Sequence, residues 1–328
     1  MNFQCKNCSA NMVFSPRLQK LYCPYCDGTD CDEQKGDESM VTCPSCGGAI
    51  EAGSYTSATR CPSCGNHIIF DVRVRDEYRP DVVIPFKLEK EDAVEALEKE
   101  FGSRPYTPTS FLSEKSLVNL TGYYVPFFLY DYHADYEYDG EGTKTRSWRQ
   151  GDYIYTEVSH FKLLRRMKAD YSRIPADASI QMPDETMDLL EPYDYQLLTD
   201  FDPRYMSGFF GEIYNLPADE LTGRAEAKAR ESAEHIMQQT LTDYKLRSPD
   251  IDSLSMDRTG TEFALFPVWK YTYRYDGQDY DFHVNGQTGK VIGKTPVSKL
   301  KVALYGLTCA GLWALIIDAV LGLLEVLQ

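Results

Sequence analysis

Eight of the ten cysteines occur as four Cys-x-x-Cys pairs, and this pattern constrains the fold of the chain more than any other feature. Fourteen residues separate the two pairs of each set, and the second set repeats the first 38 positions later. Two close pairs of thiolates can surround one metal ion, which then replaces the hydrophobic core that so short a segment lacks. The spacing therefore predicts two zinc ribbons with one zinc ion each, whose ligands are Cys5, Cys8, Cys23 and Cys26 in the first and Cys43, Cys46, Cys61 and Cys64 in the second.

Disulfides, iron and redox chemistry are the alternative uses of these cysteines. Residues 1–14 do not resemble a secretory signal, which favours a reducing compartment in which disulfides are rare. Mononuclear iron proteins also use Cys-Pro-x-Cys-Gly, but with a longer chain around the site. A thioredoxin-like use needs a βαβ pattern that is missing here. We interpret Cys31 as a free thiol and His67 as a strand residue, with a ligand role as the alternative for each.

The net charge argues against nucleic acid as a partner of the ribbons. The chain has a formal charge of −16, and residues 1–70 contain five basic and seven acidic side chains. Binding to phosphates draws most of its affinity from Lys and Arg. We therefore expect the ribbons to be structural or to dock proteins, with nucleic-acid binding of the transcription or replication type as the alternative.

The C-terminal segment is long and apolar enough to cross a membrane. Residues 302–317 carry no charge, and the apolar pattern continues past Asp318 to Leu324. A helix of that length measures about 34 Å, and a bilayer core is about 30 Å thick. Lysines at positions 294, 299 and 301 precede the segment, which favours a cytoplasmic location for the preceding residues. We expect a single-pass C-terminal anchor.

Small and polar residues recur at steps of three and four along this segment, so they share one face of a helix. Such a face suits contact with another membrane helix, either in a second copy of the chain or in a partner protein. Its members are Gly311, Ala314, Asp318, Gly322 and Glu325. The alternative is an amphipathic helix docked on the soluble domain.

The central region predicts an α+β domain, and its length of about 200 residues suits one such domain or two closely packed ones. One helix is expected to begin near Lys90, and a longer helix with an alanine-rich apolar stripe near Pro217. Residues 123–140 and 265–277 share a Pro-aromatic start followed by period-two alternation, which predicts antiparallel strands, one aromatic face on each, and a duplicated strand motif. We interpret the acidic face at residues 131–141 as solvated, with a cation site as the alternative.

These segments give a predicted domain order. It comprises zinc ribbon 1 (1–30), an acidic linker (31–40), zinc ribbon 2 (41–70), a connector (71–80), the antiparallel-sheet-rich α+β domain (81–296) and the membrane anchor (297–328). The sequence has no phosphate loop, nucleophile elbow or His-Glu-x-x-His motif, and its five histidines are scattered. We therefore expect no enzymatic activity, with an enzyme of unrecognised chemistry as the alternative.

Segments along almost the whole chain also resemble one protein family. They include the paired CPSCG-type ribbons, VIPFKLEKEDAVEAL, GYYVPFFLYD, YIYTEVSHF, LLEPYDY, YMSGFFGEIYNL, LFPVW and VNGQTGKVIG. The chain is similar to a family of bacterial membrane proteins with a TFIIB-type, or replication-factor-Y-like, zinc ribbon. Some of its members are encoded beside flotillin-like and phage-shock-like proteins and hold them at the membrane during envelope stress. The resemblance implies a scaffold in the bacterial cell membrane with membrane-associated protein partners.

Overall fold

The computed structural model describes residues 1–34, 42–50, 52–113 and 117–326, and at residues 34, 318 and 321–326 it describes the backbone alone. The described residues form four helices: α1 (Lys90–Phe101), α2 (Asp184–Leu190), α3 (Ala218–Gln239) and α4 (Lys299–Val326). The N-terminal strands are β1 (Asn2–Cys5), β2 (Val13–Ser15), β3 (Lys20–Tyr22), β4 (Cys31–Gln34), β5 (Thr56–Arg60) and β6 (His67–Ile69). The later strands are β7 (Val82–Val83), β8 (Thr121–Gln150), β9 (Tyr153–Asp177), β10 (Thr199–Asp200), β11 (Phe210–Glu212), β12 (Lys245–Leu246), β13 (Ile251–Tyr275), β14 (Gln278–Asn285) and β15 (Val291–Gly293).

The chain is an α+β protein, as predicted, and its main sheet is mixed. The three longest strands are neighbours in the order β13, β8, β9, and both pairings are antiparallel. Two short strands run parallel to a neighbour, β7 beside β13 and β11 beside β8. The long antiparallel strands therefore form most of the sheet, with β9 at one edge beside β8 and short strands attached to β8 and β13.

The aromatic faces predicted for β8 and β13 form the main core. Tyr130 and Tyr271 are fully buried, and Tyr132 and Tyr273 are at most 5% exposed. The hydroxyl of Tyr130 donates to the carbonyl of Ala218 at the start of α3, at 2.6 Å. Since the face of α3 that packs inward consists mainly of alanines, the helix backbone can approach the sheet closely. The predicted helix near Lys90 and the predicted longer helix with an alanine-rich buried stripe are both confirmed.

The acidic face of β8 is paired with basic residues of β9. Glu137 accepts a hydrogen bond from Arg166 at 2.6 Å, and ion pairs of 3.1 Å join Asp135 to Lys168 and Asp139 to Lys162. Strands β8 and β13 are antiparallel neighbours, but the cations that face these carboxylates come from β9. The duplication of the strand motif stays a prediction.

Both cysteine-rich segments are joined to the body. Strands β5 and β6 extend the main sheet through β11, where Gly211 lies opposite Ala58. The first segment is held by a hydrogen bond of 2.8 Å from the N–H of Phe14 to the carbonyl of Ser207. Strand β4 pairs with β1 within the stretch predicted as a linker, and residues 35–41 lie outside the described residues. The predicted connector contains two 3₁₀ turns, Asp71–Arg73 and Asp76–Tyr78.

Strands β8 and β9 continue beyond the rest of the sheet. After Thr143, which lies opposite Lys245 of β12, β8 pairs only with β9 in the described part of the chain. We call residues 144–159 the β arm. It includes the exposed side chains of Trp148 and Tyr155, whose rings stack at 5.8 Å.

Candidate metal centres

The two predicted cysteine sets each form a compact cluster. Within each set, the four Sγ atoms lie within 4.8 Å of one another. Cys5 and Cys26, like Cys8 and Cys23, have Sγ atoms 3.5 Å apart, and the corresponding distances in the second set are 3.7 and 3.8 Å. Four sulfurs bonded to one central ion at about 2.3 Å are about 3.8 Å apart, whereas the sulfurs of a disulfide are about 2.0 Å apart. Each cluster therefore fits a single metal ion, and none of the eight cysteines is in a disulfide.

The same tight turn positions every pair of thiols. In each Cys-x-x-Cys pair, the residue after the second cysteine donates its N–H to the carbonyl of the first cysteine, at 2.8 to 2.9 Å. The four donors are Ser9, Asp27, Gly47 and Gly65, and all have left-handed backbone, with φ of 60°, 56°, 70° and 77°. Each turn aims two thiols at the same point, so the cluster geometry is set locally.

Alanine in place of Gly47 is expected to lower the free energy of unfolding by about 1 kcal/mol, because an L side chain is strained in left-handed backbone. A Cβ at this position would meet no atom within 4 Å, so the effect reports backbone strain alone. Chemical denaturation of the metal-loaded protein measures it. Gly223→Ala is the matched control, since Gly223 is equally open but lies inside α3, where alanine is favoured. Equal effects of the two substitutions would contradict the argument.

The electrostatics of each cluster favour a bound cation. Burial opposes ionisation of the Cys61 thiol, but the N–H groups of Cys64 and Ser63 and the neighbouring thiols outweigh it and lower its pKa to about 6. Burial and the surrounding thiols raise the pKa of Cys64 to about 12. One thiol of the cluster thus ionises readily, and its negative charge discourages ionisation of the others until a cation neutralises it.

The other residues considered from the sequence lie outside these clusters. Cys31 is half-buried in β4, opposite Cys5 in the strand register. His67 lies in β6, and burial, assisted by Arg60, lowers its pKa to about 4. His283 is buried in β14, where burial and Lys270 lower its pKa to about 4. Neither histidine belongs to a metal-ligand group among the residues that the structure describes.

Helix α4 is long and apolar enough to cross a membrane over Lys299–Ile317, and none of that span is buried against the rest of the structure. Its base is attached to the body, because Lys301 donates to the carbonyl of Thr107 at 2.6 Å and Lys299 pairs with Asp276 at 3.0 Å. Of the predicted contact face, Gly311 and Ala314 are exposed. At Asp318, Gly322 and Glu325, the other members of this face, the structure describes the backbone alone.

Two features went unnoticed in the sequence. The β arm has a local signal, because Gly151 and Asp152 form a turn that is followed by a run rich in β-branched and aromatic residues, YIYTEV at 153–158. The second feature is a partly buried ion cluster in which Arg224 of α3 contacts the fully buried Asp177 and the half-buried Asp188, both at 2.6 Å. No local pattern marks that cluster, because its members lie on three different elements.

Comparison with curated proteins finds a relative over nearly the full length of the chain. It is the uncharacterized protein YdjG of Bacillus subtilis (strain 168), which is 33% identical over an alignment 322 residues long that covers 95% of this chain and 94% of the relative. No family model matches the chain, and no solved structure gives a significant match. The similarity therefore extends over nearly the whole of both chains.

Proposed function

The chain belongs to the family of YdjG, and from that premise we propose that it is a non-enzymatic, membrane-anchored zinc-ribbon adaptor. The two ribbons hold zinc, helix α4 anchors the chain in the bacterial cell membrane, and the soluble part docks proteins in the cytoplasm. One observation carries the proposal: both cysteine clusters are attached to the same body as α4. In the part of the chain that the structure describes, α4 is the only exposed apolar helix, and nothing covers it.

The donor set supports zinc in a structural role. Four cysteines complete a tetrahedral shell, which leaves no position for water or a substrate, and catalytic zinc sites keep such a position open. Soft thiolate donors also disfavour magnesium and calcium. Zinc would fix the relative positions of the ribbon strands, and the protein surface around them would be the docking surface.

The base of α4 supports the proposed orientation. Lys299 and Lys301 lie at the start of the helix, and Lys294 precedes it. Positive residues beside a membrane helix favour the cytoplasmic side. This orientation also leaves the cluster thiols in a reducing compartment, where they bind metal instead of forming disulfides. The partners we propose are membrane-associated proteins, among them flotillin-like and phage-shock-like proteins.

Membrane fractionation combined with crosslinking tests the proposal. We expect the full chain to sediment with membranes and a chain lacking residues 302–328 to become soluble. A Cys43→Ser/Cys46→Ser variant should stay in the membrane fraction but lose its crosslinked protein partners, as identified by mass spectrometry. Cys31→Ser, which removes a cysteine outside both clusters, is the matched control and should keep them. Equal partner recovery with the disrupted ribbon would contradict the adaptor role, and salt-sensitive binding of nucleic acid by the full chain would support the alternative.

A further inference from the structure

The outer edge of β9 is unpaired over much of its length. One edge of β9 pairs with β8 from Tyr153 onward, and in the described ranges no strand pairs with its other edge between Tyr153 and Tyr171. The backbone N–H and C=O groups along such an edge are a template for another strand. The arm itself is a two-stranded ribbon, an arrangement that is marginally stable in water.

Exposed apolar side chains follow this edge on both faces of the sheet. Ile154, Val158 and Leu164 lie on one face and are 74%, 50% and 62% exposed. Tyr155 and Phe161, 45% and 39% exposed, lie on the other face, because side chains alternate along a strand. A flat membrane surface or the stacked bases of a nucleic acid could cover only one of the two faces of β9. A strand added at the edge extends both faces at once and satisfies the backbone groups between them.

We propose that this edge pairs with the same edge of a second copy of the chain, antiparallel, about a two-fold axis at Phe161. The axis of such a dimer is perpendicular to the sheet and keeps each face on its own side. Residues that lie opposite each other must therefore share a face. Because side chains alternate along a strand, residues on one face are all even-numbered or all odd-numbered, and the numbers of two opposite residues add up to an even total. This requirement removes half of the conceivable registers.

The register centred on Phe161 matches charge with charge and apolar with apolar residues. It places Glu157 of each copy opposite Arg165 of the other, so the dimer contains this pair twice. Within one chain, neither residue has an ion-pair partner among the side chains that the structure describes. It also places Val158 opposite Leu164 on the other face. A register centred on residue 160 would place Glu157 opposite Leu163, and one centred on Lys162 would place that cation opposite its own copy.

Charge reversal in the full chain, purified in detergent, tests the register. We expect Glu157→Arg and Arg165→Glu each to weaken self-association by about tenfold or more, because each creates two pairs of like charges. The double variant restores the opposite charges and should restore association. Analytical ultracentrifugation over a range of concentrations measures it. Arg149→Glu is the matched control for Arg165→Glu. It makes the same charge change on the arm but on β8, so it should associate like the unmodified chain.

Each contrary outcome overturns the proposal. An unmodified chain that stays monomeric at high concentration excludes the dimer. Single variants that associate normally place any contact elsewhere, such as along α4, and a double variant that stays dissociated rules out this register. Amide exchange gives a second readout, since residues 155–167 should be protected in the dimer and should lose protection on dilution. If Glu157→Arg instead strengthens binding of a monomer to anionic vesicles, the arm contacts a charged surface and not a second copy.

Discussion

Serine in place of Cys23 is expected to unfold the first ribbon and to reduce bound zinc from two ions per chain to one. Cys23 is fully buried and its thiol lies 3.5 Å from that of Cys8, so its loss removes a ligand from the centre of the cluster. Structural zinc contributes about 10 to 16 kcal/mol in small zinc-binding folds. Burial of Phe3, Met12 and Phe14 in the main core, at about 1.5 to 3 kcal/mol for each side chain, is smaller than that contribution. Metal analysis by mass spectrometry and amide exchange over residues 1–34 measure the two effects.

The same experiment separates the two clusters. Cys31→Ser leaves all eight ligands in place, so it should keep two zinc ions and normal exchange in residues 1–34. In the Cys23→Ser variant, the second ribbon should stay folded, because β5 and β6 belong to the main sheet. A Cys23→Ser chain that retains two ions and unmodified exchange would contradict the structural role of the metal. An iron ion in place of zinc would be seen directly as iron in the metal analysis.

The features that the sequence predicted are those with a short-range cause. The spacing of Cys5 and Cys8 forces a turn, and the turn alone aims both thiols at one point. In α3, Ala225 and Ala229 recur at helical spacing and are buried. Alternation along β8 likewise determined which face of the strand is aromatic.

Features that depend on distant pairing could not be predicted in this way. Alternation assigns Asp139 to the solvated face of β8, but nothing near it in the sequence says that Lys162 will lie beside it. Gly211 gives no local sign that it will connect the second ribbon to the main sheet. The register between strands depends on all the contacts of the sheet together. The sequence therefore predicts which side chains share a face of a strand, but not which strands lie beside it.

Methionine in place of Arg224 is expected to lower the free energy of unfolding by about 3 to 5 kcal/mol, the usual cost of leaving a buried charge without its partner. Asp177 is fully buried and receives a hydrogen bond of 2.6 Å from the guanidinium of Arg224. The same guanidinium holds Asp188 of α2, so the substitution also loosens the contact between α2 and α3. Denaturant unfolding of the metal-loaded chain measures the loss.

The pH dependence of this loss identifies its cause. Burial, opposed by Arg224, raises the pKa of Asp177 to about 6, so the folded state binds a proton more tightly than the unfolded state does. The stabilisation due to that proton is complete below about pH 4, the ordinary range of the group, and is lost as the pH rises through 6. Without Arg224 the ionised form of Asp177 is less favourable still. The loss in free energy of unfolding caused by Arg224→Met should therefore be largest at neutral pH and smaller near pH 5.

Arg230→Met is the matched control, because Arg230 lies on the same helix in a partly exposed pair with Glu226. This substitution should cost no more than about 0.5 kcal/mol. If the two substitutions cost the same, or if the Arg224 deficit does not change with pH, the unpaired carboxylate of Asp177 is not the cause.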